Sequence, residues 1–566
     1  MTRASFKLPA LMFLTWVIVF LVYLPAQHFE FLNFDDNIYV TENPHVLSGV
    51  TAENIRWALD TNLGSHWHPL SWISLMLDQT LFGPGARAPH LINILLHATN
   101  AALLMLLTFV LTSALPESLF AALLFGLHPM RMESVAWVTE RKDVLSMFFM
   151  LLTLIGYAIY ARRASRGAFA FSLFFYLLAL LSKPSATVVP CALLLLDYWP
   201  LGRRISWKTV GEKLPYALLA GVCCWLAISS QHAGGGLKDL NAYPPLDRLA
   251  SVLVGYQAYL GKFFLPTGFA IFYPFTVHQP GVAAGALVFL AAVSAVLYAL
   301  RARFPALLMG WLWFIITLLP VIGIMQVGGQ AFADRWTYLP HIGLIWALTF
   351  VAGKLAARRP VLCSSLAVSL LIWCAASTSV HLPDWRSSEA VFRRAALVSP
   401  DNFMAHMNLG VALDAQGKLE EAMGHYETTV LMRPFYPDGL NNLGGAHARR
   451  GEFAKAEELF KRAIAQLPGF VSAHYNLGLV YASSGRPQLA ISAWLTALEI
   501  DPQYPQTLPS LRSVLAAIGA QGCGIVSEVS RQLSASNLAR QIERVRGSLT
   551  PSDLDNLNTV IKCLGE

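Results

Sequence analysis

Apolar positions in this chain come in runs. Between residues 8 and 380, stretches of about 15–22 mostly hydrophobic residues recur, each near the length of a helix that crosses a bilayer. From residue 381 the runs stop and the chain reads as a soluble domain. The pattern predicts a helical membrane domain followed by a globular tail.

Clusters of cations between the runs set an orientation. Arg3 with Lys7, Arg162 with Arg163 and Arg166, and Arg203 with Arg204, Lys208 and Lys213 form three clusters. Arg301 with Arg303, and Lys354 with Arg358 and Arg359, form two more. If all five face the cytoplasm, the expected spans are 8–26, 89–111, 117–130, 144–161, 168–182, 184–199, 214–230, 281–300, 305–325, 338–353 and 361–380. That is roughly eleven crossings by the positive-inside rule. Segment 249–265 then cannot cross without inverting all that follows, so it is expected to be re-entrant or interfacial. The first run exceeds a signal-peptide core and reads as an uncleaved span. An odd count puts the tail and the loop after the first span in one compartment, outside the cytoplasm.

The tail repeats itself. Asn-Leu-Gly stands at 408–410, 442–444 and 476–478, a period of 34 residues. Pro400, Pro434, Pro468 and Pro502 keep that period, as do Gly417, Gly451 and Gly485, and Ala422, Ala456 and Ala490. This is the tetratricopeptide pattern, a solenoid of helix pairs whose groove takes extended peptides. The expected domains are therefore 1–382 and 383–566, with a half-unit at 384–399 and capping helices toward 566. Asn408, Asn442 and Asn476 are the expected acceptor-binding positions of the groove.

Composition agrees. Hydrophobic residues make up 55% and charged residues 13% of 566, with mean hydropathy +0.50, which excludes an ordinary soluble protein. The net charge of +7 sits largely in short loops and reports orientation, not nucleic-acid binding. Of seven cysteines, five lie in apolar runs. Cys523 and Cys563 lie in the tail and could pair in an oxidising compartment. No CxxC or Cys/His metal spacing occurs.

The chemistry concentrates in two outer loops, 27–88 and 128–143. The first carries Asp35-Asp36 immediately beyond the first span, with His66-Trp67-His68 further on. Adjacent carboxylates raise the pKa of one of the pair, a route to a stronger base. Arg131, Arg141, Lys142, Lys183 and Arg335 break the inside bias for cations, so they need carboxylates or an anionic ligand as partners. Glu133, Glu140, Asp143 and Asp334 could serve. The two histidines lack an evident third metal ligand, which favours a structural role.

These residues resemble a known set. The Asp pair joins Gly126-Leu127-His128-Pro129, Glu133-Ser134-Val135-Ala136, Arg141-Lys142-Asp143, Ser182-Lys183-Pro184, Ala333-Asp334-Arg335 and the repeat tail. Together they resemble the transmembrane and tetratricopeptide repeat-containing O-mannosyltransferases, within the GT-C class of polyprenyl-phosphate-sugar-dependent glycosyltransferases. The chain departs from that pattern at Pro184 and Trp336.

The resemblance implies an all-α, polytopic GT-C-type domain that moves a monosaccharide, with inversion, to a hydroxyl, expected to be Ser or Thr of exported proteins. Glycosyl transfer to a lipid or envelope polysaccharide is the alternative, and a non-enzymatic transporter or scaffold is a third reading. Asp35 is expected as the base with Asp36 as its support. Arg335, Lys183 and Arg141 are the expected ligands of the donor phosphate, because guanidinium and ammonium groups neutralise a phosphate leaving group. His128, Glu133, Asp143, His68 and Tyr338 are the expected supporting residues. No cofactor is required, although a divalent cation (Mg or Mn) on Asp35 and Asp36 is an option. The expected partners are the lipid-linked donor, an acceptor polypeptide in the repeat groove and membrane lipids, with no nucleic acid. The expected location is a bacterial inner membrane with the repeats periplasmic.

Overall fold

The computed structural model describes residues 3–65, 67–233, 243–502, 504, 506–518 and 558. Its chain forms two compact units, Met1–Asn402 and Phe403–Glu566. His66, Cys523 and Cys563 lie outside the described residues, as does the expected capping segment beyond helix Thr507–Ile518, which packs Leu508, Leu511 and Leu515 against the last repeat.

Every expected span is a helix in the first unit. Six are long and apolar enough to cross a membrane: Phe6–His28, Arg87–Thr112, Val138–Arg163, Leu214–His232, Pro280–Ala299 and Pro360–Trp385. The other five are shorter, at Leu115–Leu127, Arg166–Ser182, Pro184–Tyr198, Pro305–Leu318 and His341–Ala356. Prolines cut several of them. The expected span 117–130 stops at Leu127 because His128, preceding Pro129, takes an extended conformation (φ −67°, ψ 129°). Span 305–325 stops at Leu318, just ahead of Pro320. Span 184–199 opens as a 3-10 turn over Pro184–Val188 and keeps only Val189–Tyr198 as α-helix. Each truncation frees backbone for loops that carry polar side chains. Segment 249–265 forms most of a continuous helix, Pro245–Phe264, capped by Leu265, with Asp247 in its first turn and Lys262 in its last, each complementing the helix dipole.

Helices Pro305–Leu318 and His341–Ala356 approach closely at two glycines. A Cβ on Gly310 would lie 2.2 Å from the Gly343 carbonyl oxygen, and one on Gly343 would lie 2.4 Å from that of Gly310. Backbone meets backbone there, so no side chain can yield. Gly310→Ala is expected to cost about 1–3 kcal/mol through overpacking, read as a lowered unfolding midpoint in detergent; an unchanged midpoint would refute the tight crossing. This crossing matters because the segment Asp334–Thr337 runs directly into the second helix.

The first outer loop builds its own small core. Asn43 caps Pro44–Leu47 by accepting the His45 and Val46 amides at 3.1 and 3.2 Å, and Thr51 caps Ala52–Asp60. Tyr39 stacks on Trp72 at 4.4 Å and on His68 at 5.4 Å. Val40, Val46, Ala58, Leu75, Met76 and Val138 pack beneath them. The second outer loop is a train of one-turn helices, Pro129–Arg131, Met132–Ala136 and Val138–Glu140, buried throughout.

The half-unit expected to open the tail packs elsewhere. Helix Ser388–Val398 belongs to the first unit: the Asn33 amide donates to Ser388 Oγ at 2.7 Å, Phe34 meets Phe392 at 5.7 Å, and Asn402 Nδ2 donates to the Phe272 carbonyl at 2.7 Å. The compact boundary thus falls after residue 402.

In the second unit the 34-residue period has a packing cause. Gly410, Gly444 and Gly478 face the rings of Tyr426, Phe460 and Trp494, which keep the same period. A Cβ at those glycines would lie 2.6, 2.9 and 2.3 Å from the ring atoms. Each Asn-Leu-Gly triplet therefore marks where one helix of a pair receives an aromatic side chain from the other.

Candidate active site

The two neighbouring aspartates have opposite surroundings. Asp36 is fully buried and spent on backbone. Its Oδ2 accepts the Leu32 amide at 2.8 Å, and its Oδ1 accepts the Thr139 amide at 2.9 Å and the Thr139 hydroxyl at 2.5 Å. Burial pushes its pKa up to about 6, against the pull of those donors. Asp36 thereby ties the first outer loop to the second. Asp35 is half-buried and lines a cleft of about 340 Å³. Burial raises its pKa as well, while Lys142 and Arg335 draw it down. Of the pair, Asp35 alone lines the cleft, while both oxygens of Asp36 accept protein donors. Among the described residues, no group of three or more His, Cys, Asp or Glu side chains could hold a metal.

Three cations line the same cleft: Lys142, Lys183 and Arg335. Each is held by carboxylates. Lys183 contacts Asp143, whose Oδ2 also accepts the Ser134 hydroxyl at 3.0 Å. Arg335 contacts Glu133 through its guanidinium, and its amide donates to Glu133 Oε2 at 2.9 Å. Burial opposes the Arg335 charge, but Glu133 and Glu140 more than compensate and hold its pKa above the ordinary value. Arg335 is fixed from behind as well, since Lys262 Nζ and Tyr273 Oη lie 2.9 and 2.7 Å from the Asp334 carboxylate. The cleft wall continues over apolar side chains, among them Ile228, Val321 and Met325.

Arg141 is elsewhere. Its guanidinium is fully enclosed, donating to Asn93 at 2.5 Å, Ser74 at 2.7 Å, and Asp78 and the Pro89 carbonyl at 2.8 Å. It does not line the cleft; its neighbour Lys142 does. Residues 141 and 142 point about 100° apart on a helix, and the buried Asn93 and Asp78 are the signal that would have told them apart. Glu140, expected from the sequence only as a partner for the outer cations, also lines the cleft.

The other expected supports divide the same way. Glu133 and Asp143 hold Arg335 and Lys183. Tyr338 is buried, its hydroxyl 2.6 Å from His97 Nδ1 and 3.3 Å from Asn100 Nδ2, and it packs the segment behind Arg335. His68 lines the cleft and stacks on Trp72 at 5.2 Å, while Trp67 donates to the Leu59 carbonyl at 2.9 Å. His128 does not reach the cleft: its Nε2 lies 3.0 Å from the Phe263 carbonyl and its Nδ1 accepts the Met130 amide at 3.3 Å.

In the second unit, Asn442 and Asn476 line a groove of about 380 Å³ with Asn441, Asp414 and Arg449. Asn476 Nδ2 donates to Asn441 Oδ1 at 3.0 Å. Asn408 is outside that groove, turned back to donate to the Met404 carbonyl at 2.9 Å.

An all-α membrane domain with a charged cleft, joined to a tetratricopeptide solenoid, is the class this molecule belongs to. A tetratricopeptide repeat family model matches residues 383–439, 425–469 and 441–505. The chain is also similar to protein O-mannosyl-transferase TMTC1 of Homo sapiens, 24% identical over 497 residues, covering 73% of this chain and 54% of that protein. Human TMTC4 is 26% identical, covering 65% of this chain and 60% of that protein, and Drosophila melanogaster Tmtc1 is 24% identical, covering 75% and 62%. It is a TMTC-like, tetratricopeptide repeat-containing membrane protein that spans 54 to 62% of the length of these relatives. Among solved structures, MamA covers 28% of this chain and 87% of its own at 23% identity and a TM-score of 0.23.

Proposed function

We propose that the chain is a glycosyltransferase that moves a monosaccharide from a polyprenyl-phosphate donor to a Ser or Thr hydroxyl of an exported protein, inverting the sugar carbon. The relatives are named protein O-mannosyl-transferases, which supports protein O-glycosylation. The observation that carries the reading is one cleft holding a half-buried carboxylate and three cations, Lys142, Lys183 and Arg335, beside an apolar wall.

In this mechanism Asp35 takes the proton of the acceptor hydroxyl as its oxygen bonds to the anomeric carbon. The bond from that carbon to the phosphate oxygen breaks on the opposite face, and the polyprenyl phosphate leaves with the negative charge. Lys183, Arg335 and Lys142 meet that charge. The apolar wall suits the lipid chain. The cleft and the repeats share the non-cytoplasmic side of a bacterial inner membrane in this reading, as the positive-inside pattern supports.

The test uses full-length protein in nanodiscs with polyprenyl-phosphate-mannose and a Ser/Thr-rich peptide. Mannosyl-peptide formation with an inverted anomeric centre is expected. Donor turnover without peptide product, or no turnover at all, overturns the reading. In the same assay Asn442→Ala and Asn476→Ala are expected to raise the acceptor KM by about five- to tenfold, the worth of a hydrogen bond or two; unchanged values would remove the groove from acceptor binding.

A further inference from the structure

Glu140, one of four carboxylates expected to pair with the outer cations, lies within ion-pair reach of all three cations of the cleft. Its side chain is 1% exposed. Oε1 lies 3.1 Å from Lys142 Nζ and 3.1 Å from Arg335 Nε, and Oε2 lies 3.6 Å from Lys183 Nζ. Lys183 and Arg335 have other carboxylates, Asp143 and Glu133. Lys142 has only Glu140 among the described residues, with the Tyr39 ring 5.0 Å away on its other side. Asp35 lines the same cleft, but among the described residues no cationic nitrogen lies within 4.0 Å of its carboxylate. Three cations, each paired with another carboxylate, and Asp35 thus share one cleft with no ion pair between Asp35 and any of the three among the described residues. Coulomb attraction in a half-buried site is several kcal/mol at about 4 Å, so something must hold them apart.

We propose that Glu140 is a positioning residue: by anchoring Lys142 and Arg335 from below, it arrays the cations toward an anionic ligand and leaves Asp35 an unpaired base. The proposal rests on the glycosyltransfer reading for its purpose but not for its geometry. Without the Glu140 charge, Lys142 is released, and the carboxylate that remains among the cleft-lining residues is Asp35. A carboxylate paired with an ammonium is a weaker base and holds its proton less well. The groups around Asp35 are Lys142, Lys183 and Arg335 on the cationic side, Glu133, Glu140, Asp143 and its neighbour Asp36 on the anionic side, and His68 and Tyr39 from the loop core.

The test reads Asp35 directly. Dicyclohexylcarbodiimide modifies protonated carboxyls, and fragment mass spectrometry of the full-length protein in nanodiscs gives the extent at Asp35 against pH, with Asp35→Asn as the blank. Glu140→Gln is expected to move the labelling midpoint down by about one pH unit, and Glu140→Asp to restore most of it. In a Lys142→Gln background, which by itself should move the midpoint up, the Glu140→Gln shift should shrink to less than half. A midpoint unchanged or raised in Glu140→Gln overturns the proposal. So does an equal shift with Lys142 absent, because Glu140 would then act through its own charge alone. If Glu140→Gln does not fold, Lys142→Gln still decides: no upward shift means that Lys142 does not act on Asp35. No sugar donor enters this experiment, so a failure of glycosyl transfer and a failure of the Glu140 assignment are read separately. Where transfer is measured, Glu140→Gln should move the acidic limb of kcat to lower pH in parallel with the labelling.

Discussion

Asp35→Asn is expected to lower glycosyl transfer by about 10²–10⁴-fold, the usual worth of a positioned general base, with no loss of folded protein. The amide keeps the shape of the side chain, and among the described residues Asp35 forms no ion pair whose loss would unsettle its surroundings. The pH dependence has a definite sign. Burial raises the Asp35 pKa above its ordinary value, so the base takes up its proton at a higher pH than a solvated aspartate does. The rate should fall as pH drops through that raised value, and Asp35→Asn should remove the limb. Wild-type rates in the variant would eliminate Asp35 as the base. The neighbouring change behaves differently. Asp36→Asn turns an amide donor toward either the Leu32 amide or the Thr139 donors, a mismatch of about 1–3 kcal/mol. It should lower the unfolding midpoint, and loss of activity should follow loss of fold.

Arg141→Met carries the largest expected effect on stability. The substitution strands the Asp78 carboxylate, 4% exposed, without its cation, and leaves Asn93 Oδ1 and the Pro89 carbonyl without their donor. Removing one partner of a buried pair costs about 3–5 kcal/mol, which should appear as a fall in unfolding midpoint and in yield of monodisperse protein. Arg141→Lys should recover only part of this, because an ammonium cannot reproduce the planar fork that reaches four acceptors. A midpoint within error of wild type would show that this network is not what fixes the second outer loop. The contrast with Lys142 is the point: adjacent cations in one motif, one holding the fold and one facing the cleft.

The architecture was largely legible in the sequence because it follows from local rules. Among the described residues, apolar runs and flanking cations marked all six long and all five shorter apolar helices, since a membrane demands contiguous hydrophobic length. The 34-residue period marked the repeats, since each aromatic needs a glycine opposite it. What the runs did not disclose was where helices stop: Pro129 and Pro320 shorten two of them, and the freed loops carry much of the charge of the cleft. The half-unit at 384–399 obeys the repeat pattern but packs on the first outer loop, a choice made by contacts hundreds of residues apart.

The site was legible as a set of residue types and illegible as an arrangement. Asp35, Lys183 and Arg335 stood out because carboxylates and cations at span ends are costly without a purpose, and they do line one cleft. Which aspartate faced that cleft was decided by Thr139, whose amide and hydroxyl capture Asp36 from 103 residues away. Which arginine or lysine faced it was decided by Asn93 and Asp78, which draw Arg141 inward. Composition and periodicity therefore determined the membrane domain, the solenoid and the pool of ionisable groups, because these depend on neighbours along the chain. Only the tertiary structure decided which of those groups are spent on holding the fold and which are left facing the cleft, because a buried charge goes to whichever partner the packing brings within reach.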